Sequence, residues 1–221
     1  LVELHKQLGA VSYVEMGGFY DLSLDDPQVR DTAWTDSDGV FHRKIETPKG
    51  TLQEERVFAG VSYSYNIRKH LLESVEDFEI VRYVMERYRA TPRWDRYFMW
   101  LEALGDLGVI YCPLPYSGLG YLISRNLGVE KTCMAMFDYP EETQRLIDAV
   151  NACNLRILDA IIDGPFEVLI ITDNFDSNVQ NPGMFNTYSR RYYTEVARRL
   201  HAKGKYLAVH VDGEMKGCLK N

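Results

Sequence analysis

The sequence predicts an α/β protein with a parallel sheet, on three observations. Strand and helix patterns alternate from residue 74 onward. Residues 167–213 read EVLIITDNFDSN, a helical pattern, then KYLAVHVDG. Two short apolar strands separated by a helix of about 20 residues form a βαβ unit with parallel strands. Residues 38–61 follow a different rule, with alternating polarity between turn signals, and predict an antiparallel insertion. A barrel and an open doubly wound sheet both fit this order.

Taken in order, residues 1–8 read as the tail of a helix stopped by Gly9, and 11–16 as a strand followed by a Gly17-Gly18-Phe19 loop. Residues 21–33 are acidic and turn-rich. Asp38-Gly39 and Pro48-Lys49-Gly50 are the turns of a two- or three-stranded insertion. Ser74 stands three residues before Asp77, the spacing of a capping box, and a helix follows to Arg89. Pro92 breaks the chain. Residues 93–105 carry a wide apolar stripe suited to a core-facing helix. Strand 109–112 ends in the loop Pro113-Leu114-Pro115-Tyr116-Ser117-Gly118, which its two prolines stiffen. Residues 119–138 are helical with a break at Gly128. Pro140 opens a long helix to Asp163, at a position where its missing N–H costs nothing. Strand 168–172, loop 173–182, helix 183–203 and strand 206–210 complete the order. The whole chain, 1–221, is expected to be a single domain carrying the 38–61 insertion.

The chain has 221 residues, 46% hydrophobic and 26% charged, with a net charge of −7. An acidic balance argues against nucleic acid as a partner. No apolar run reaches the roughly 18 residues a transmembrane helix needs, so no membrane partner is expected. Four cysteines stand far apart with no CxxC pair, which disfavours a zinc ribbon and suits a reduced, cytoplasmic setting. No GxGxxG or GxxxxGK[ST] run occurs, so nothing points to nucleotide binding. The sequence begins without Met and ends within what reads as a new helix, so both ends are expected to be incomplete.

In a βαβ unit the strand C-termini share one face, and ligand sites form there. Asp173, Asn174, His210 and Asp212 all stand at such ends. His210 and Asp212 are two apart, the spacing that puts side chains on one side of a strand. A neighbouring carboxylate can orient an imidazole, or the pair can hold a metal. Asp173 and His210 are the catalytic candidates. Asn174, Tyr116, Ser117 and Phe19 are the candidates for substrate binding, and His210 with Asp212 for metal.

The order of these motifs resembles the uroporphyrinogen decarboxylase superfamily, which includes cobalamin-dependent methyltransferases. The resemblance rests on Thr47-Pro48-Lys49-Gly50-Thr51-Leu52 in a hairpin, a strand ending in a Pro-rich loop, and Asp173-Asn174 closing a strand. It continues with Asn181-Pro182-Gly183-Met184-Phe185 opening a helix and His210-Val211-Asp212-Gly213 closing the next strand. It implies a TIM-type (β/α)8 barrel with a deep pocket at the C-terminal face, and homodimers are common among such proteins. Decarboxylases of this kind carry a Met-Arg-Gln-Ala-Gly-Arg-like run that is not visible here. Methyltransferases carry His-x-Cys, which helps hold zinc, where this chain has His210-Val211-Asp212. The resemblance therefore implies methyl transfer involving a corrinoid or methylated cofactor, with zinc as the expected metal and a corrinoid protein as partner. The alternatives are cofactor-free decarboxylation of a porphyrinogen, in which Asp173 stabilises a protonated pyrrole, and a non-catalytic tetrapyrrole- or corrinoid-binding protein.

Overall fold

The computed structural model describes residues 2–15 and 17–218. The elements in chain order are α1 (Val2–Leu8), β1 (Ser12–Val14), β2 (Tyr20–Leu24), β3 (Arg30–Thr35), β4 (Val40–Thr47), β5 (Gly50–Ala59) and β6 (Ser64–Lys69). Then come α2 (Phe78–Met85), β7 (Tyr88–Pro92), α3 (Trp94–Leu104), β8 (Gly108–Leu114), α4 (Gly118–Gly120), α5 (Val129–Asp138) and α6 (Pro140–Ile161). The last are β9 (Val168–Phe175), α7 (Pro182–Met184), α8 (Arg190–His201) and β10 (Tyr206–Val211). The fold is mixed α/β with a parallel sheet, as the alternation predicts. Its contacts divide it into two compact units, residues 1–23, 89–117 and 154–221 in one, and 24–88 and 118–153 in the other.

The first unit is built on a four-stranded sheet in the order β1-β8-β9-β10, with every neighbouring pair parallel. The described strands do not close on themselves. Leu114, Ile171 and Val209 lie in register on β8, β9 and β10, so the C-terminal ends of these three strands meet at one edge. Strand β9 reads as a near-continuous apolar run because a parallel strand is covered on both faces. Leu169 and Ile171 are fully buried and Ile170 nearly so. Helix α8 returns from β9 to β10 and buries Tyr192, Val196 and Leu200, the four-residue spacing of one helix face.

Gly108 is where β1 and β8 come closest. A Cβ there would lie 1.8 Å from Ser12 O and 2.6 Å from Ser12 C, both backbone atoms that cannot turn aside. Gly108→Ala is expected to part this strand pair and cost about 3 kcal/mol, the upper range for overpacking. A fall in the urea midpoint checks it. An unchanged midpoint would mean that β1 moves freely.

The second unit holds the antiparallel sheet, which is larger than the expected 38–61 insertion. Four strands, β3-β4-β5-β6, span 30–69. The two outer strands extend beyond the expected bounds and bury no side chain fully. The inner strands bury Val40, Ile45 and Leu52, and burial alternates at Leu52 and Glu54 on β5. Asp77 accepts from the backbone N–H of Glu73 at 2.7 Å and of Ser74 at 3.3 Å, which supports the predicted helix start. The break expected at Gly128 is present. The residue has φ +87° and precedes α5. Strand β7, which pairs with β2, was not anticipated. Its sequence, YRATP, is too short and polar to signal a strand.

Candidate functional site

Strand β9 runs three residues past its expected end, to Phe175. Thr172, Asp173 and Asn174 are thus strand residues, and alternation sends neighbours to opposite faces. Asp173 turns inward and is fully buried, while Asn174 is exposed. The two do not share a pocket face, contrary to their grouping by sequence.

Asp173 is the hub of a buried network. The Ser117 N–H donates to its Oδ1 at 2.7 Å. The Ser117 hydroxyl donates to Oδ2, as does the Tyr193 hydroxyl at 2.6 Å. One carboxyl group therefore ties the loop after β8, the end of β9 and the body of α8. Burial pushes the Asp173 carboxyl above the usual range, against the pull of the three donors. Burial, with Asp173 next, also holds the Tyr193 phenol well above its ordinary value. The loop has a second tie, since Asn154 Nδ2 donates to Tyr116 O at 2.8 Å. Tyr116 is half-buried and Ser117 is 1% exposed.

His210 and Asp212 lie at the exposed rim of the same strand ends. Their side chains are 44% and 68% exposed, with His210 Nε2 4.0 Å from Asp212 Oδ1. The β9–β10 register shifts here. Val209 pairs with Ile171 and Val211 with Phe175, so His210 alone stands opposite Thr172, Asp173 and Asn174. A bulge re-aims side chains, and such irregularities are common beside active sites. It sets the one ring nitrogen base of this strand across from the buried hub. Phe19, expected to line the pocket, is instead fully buried with its ring edge-to-face on Tyr97, 5.4 Å between centroids. It is a packing residue.

A catalytic zinc takes three protein ligands and a structural one four. Among the described residues no group of three His, Cys, Asp or Glu side chains is placed to hold a metal. Cys218 is buried, and its Sγ donates to Gln180 O at 3.4 Å, which leaves it outside any such set. His210 and Asp212 alone do not fit zinc, and the chemistry below uses none. Elemental analysis of protein purified without chelator checks whether the described residues are the whole donor set. Stoichiometric zinc, lost in His210→Ala, would mean that they are not.

Tyr193 and Asn154 are the site residues that sequence reasoning missed. A buried carboxyl requires donors, but nothing in the Arg191-Tyr192-Tyr193 run says which tyrosine turns toward β9. Only the phase of α8 against the sheet decides it.

A family model described as uroporphyrinogen decarboxylase (URO-D) matches residues 110–221, the stretch from β8 to the end of the chain and all of the network above. The chain belongs to the uroporphyrinogen decarboxylase family. Members of this family are in general enzymes. No curated protein matches the chain. No helix among the described residues is long and apolar enough to cross a membrane.

Proposed function

We propose that this member of the uroporphyrinogen decarboxylase family transfers a methyl group between a corrinoid, or another methylated cofactor, and an accepting nucleophile. The observation that carries the reading is the placement of His210. It is exposed at the end of β10, opposite the bulge that holds Asp173, with Asp212 beside it. It also occupies the position of the histidine in the His-x-Cys run of the methyltransferase branch. The parallel order β1-β8-β9-β10 supports the further reading that these strands are an arc of a TIM-type barrel.

In this reading the corrinoid is a substrate. The cobalt–carbon bond breaks and leaves both its electrons on cobalt. The carbon bonds to the nucleophile, whose proton passes to the free imidazole nitrogen of His210. Asp212, 4.0 Å from the ring, orients the imidazole. Asp173 is a positioning residue. It fixes Ser117 and Tyr193, and through Ser117 the loop that carries Tyr116. Asn174, exposed at the strand end, offers a donor and an acceptor to substrate.

Incubating the full chain anaerobically with methylcobalamin and a small thiol tests this. The methylcobalamin absorbance is expected to fall in proportion to protein, and the signal to vanish in His210→Ala. No transfer with any acceptor would sink the reading. A second reading, decarboxylation of a porphyrinogen, is favoured by one observation, His210 and Asp212 standing 4.0 Å apart at the strand ends, as an acid–base pair for an organic substrate would. It predicts CO₂ release from a porphyrinogen without added cofactor.

A further inference from the structure

The second unit contains a cleft of about 380 Å³ between the start of α2 and helix α5. Its floor is apolar and already buried, made by Phe78, Leu127 and Ala135. Its walls include two exposed apolar side chains, Met134 at 59% and Tyr139 at 47%. Helix α5 buries only Thr132 and Ala135, an unusual economy for an amphipathic helix.

The rim is acidic. Glu76, Glu130 and Asp138 line it and make no ion pair among the described residues. Glu73 also lines it, but is taken by Lys69 at 3.1 Å. Lys131 is the one cationic side chain of the lining. Hydrogen bonds, from Ser74 first, hold the Glu76 carboxyl below its usual range, so it stays ionised. Three carboxylates against one ammonium leave an excess of negative charge over an apolar floor. The complement is a cation with an apolar body, since the charge of the rim and the apolar floor call for both. The volume lies in the range of small-molecule sites.

We propose that this cleft binds a small organic ammonium compound, its apolar body against Phe78, Leu127 and Met134 and its charge toward Glu130 and Asp138. This occupant is independent of the methyl-transfer reading, since none of the cleft residues belongs to the unit that holds Asp173 and His210.

Three probes of one shape and different charge test it on the full chain, with binding followed by calorimetry or NMR titration. They are 3-phenylpropylamine, 3-phenylpropanol and 3-phenylpropionate. The amine is expected to saturate in the millimolar range, with the alcohol about tenfold weaker, a difference of about 1.4 kcal/mol, and the acid weaker still. The pair of substitutions Glu130→Gln and Asp138→Asn is expected to bring the amine to the level of the alcohol while leaving the alcohol unchanged. Both positions are exposed, and an unchanged melting temperature verifies the fold. Equal binding of amine and acid, no saturable binding of the amine, or an amine affinity untouched by the substitutions would each overturn the proposal. So would a site that takes a basic peptide and none of the three probes.

Discussion

Asp173→Ala is expected to cost about 3–5 kcal/mol and to abolish turnover. The physical reason is that three donors lose one acceptor inside the protein. The Ser117 N–H, the Ser117 hydroxyl and the Tyr193 hydroxyl all point at Asp173, and a buried donor left unpaired costs about 1–3 kcal/mol. These terms do not add fully, because the side chains share one network. Asp173→Asn is the milder change. Its amide oxygen can still accept from the Ser117 N–H, and hydroxyls can rotate to accept from its NH₂. It is expected to cost about 1 kcal/mol.

The same carboxyl gives a pH dependence with a definite sign. Its folded value is raised, chiefly by burial. A raised acid binds its proton more readily folded than unfolded, so its contribution to stability is fully present below the ordinary carboxyl value. It is lost as pH rises through the folded value. Asp173→Asn cannot titrate there. The stability of wild type relative to Asp173→Asn should therefore decline as pH rises from about 4 toward neutrality. Urea titrations at a series of pH values check this. A gap that widens with pH would mean that the three donors, not burial, dominate.

His210→Ala is expected to match Asp173→Ala in its loss of turnover but to leave stability almost unchanged. Loss of a positioned general base costs about 10²–10⁴-fold in rate. The side chain is 44% exposed, and its Asp212 contact at 4.0 Å is a surface pair, so the fold should lose no more than about 0.5 kcal/mol. Added imidazole should restore part of the activity if the missing group is a proton acceptor. A His210→Ala variant with wild-type turnover would remove His210 from the chemistry in both the methyl-transfer and the decarboxylation readings. A variant that is inactive and unfolded would assign it a structural role instead.

Residue pattern alone carries the fold class, the βαβ unit and the strand ends where Asp173 and His210 stand. Each is written in local pattern: the apolar run of 168–171, the four-residue spacing of Tyr192, Val196 and Leu200, and polar residues that close an apolar strand. The order of short motifs also carried the family. The rest depends on packing between distant segments. Asp173 and Asn174 are adjacent in sequence, yet one is the buried hub and the other is exposed, because β9 continues four residues beyond its apolar stretch and alternation divides the pair. Tyr193 joins the site from a helix 20 residues later because α8 packs in one phase against the sheet. Phe19 leaves it because an apolar ring finds more contact against Tyr97 than at a wet strand end. The edge strands β3 and β6 bury no side chain fully, and pairing with β4 and β5 places them in the sheet. Local sequence records which residues prefer to be buried. Which buried groups meet depends on register and helix phase, and these are set by contacts between segments far apart in the chain.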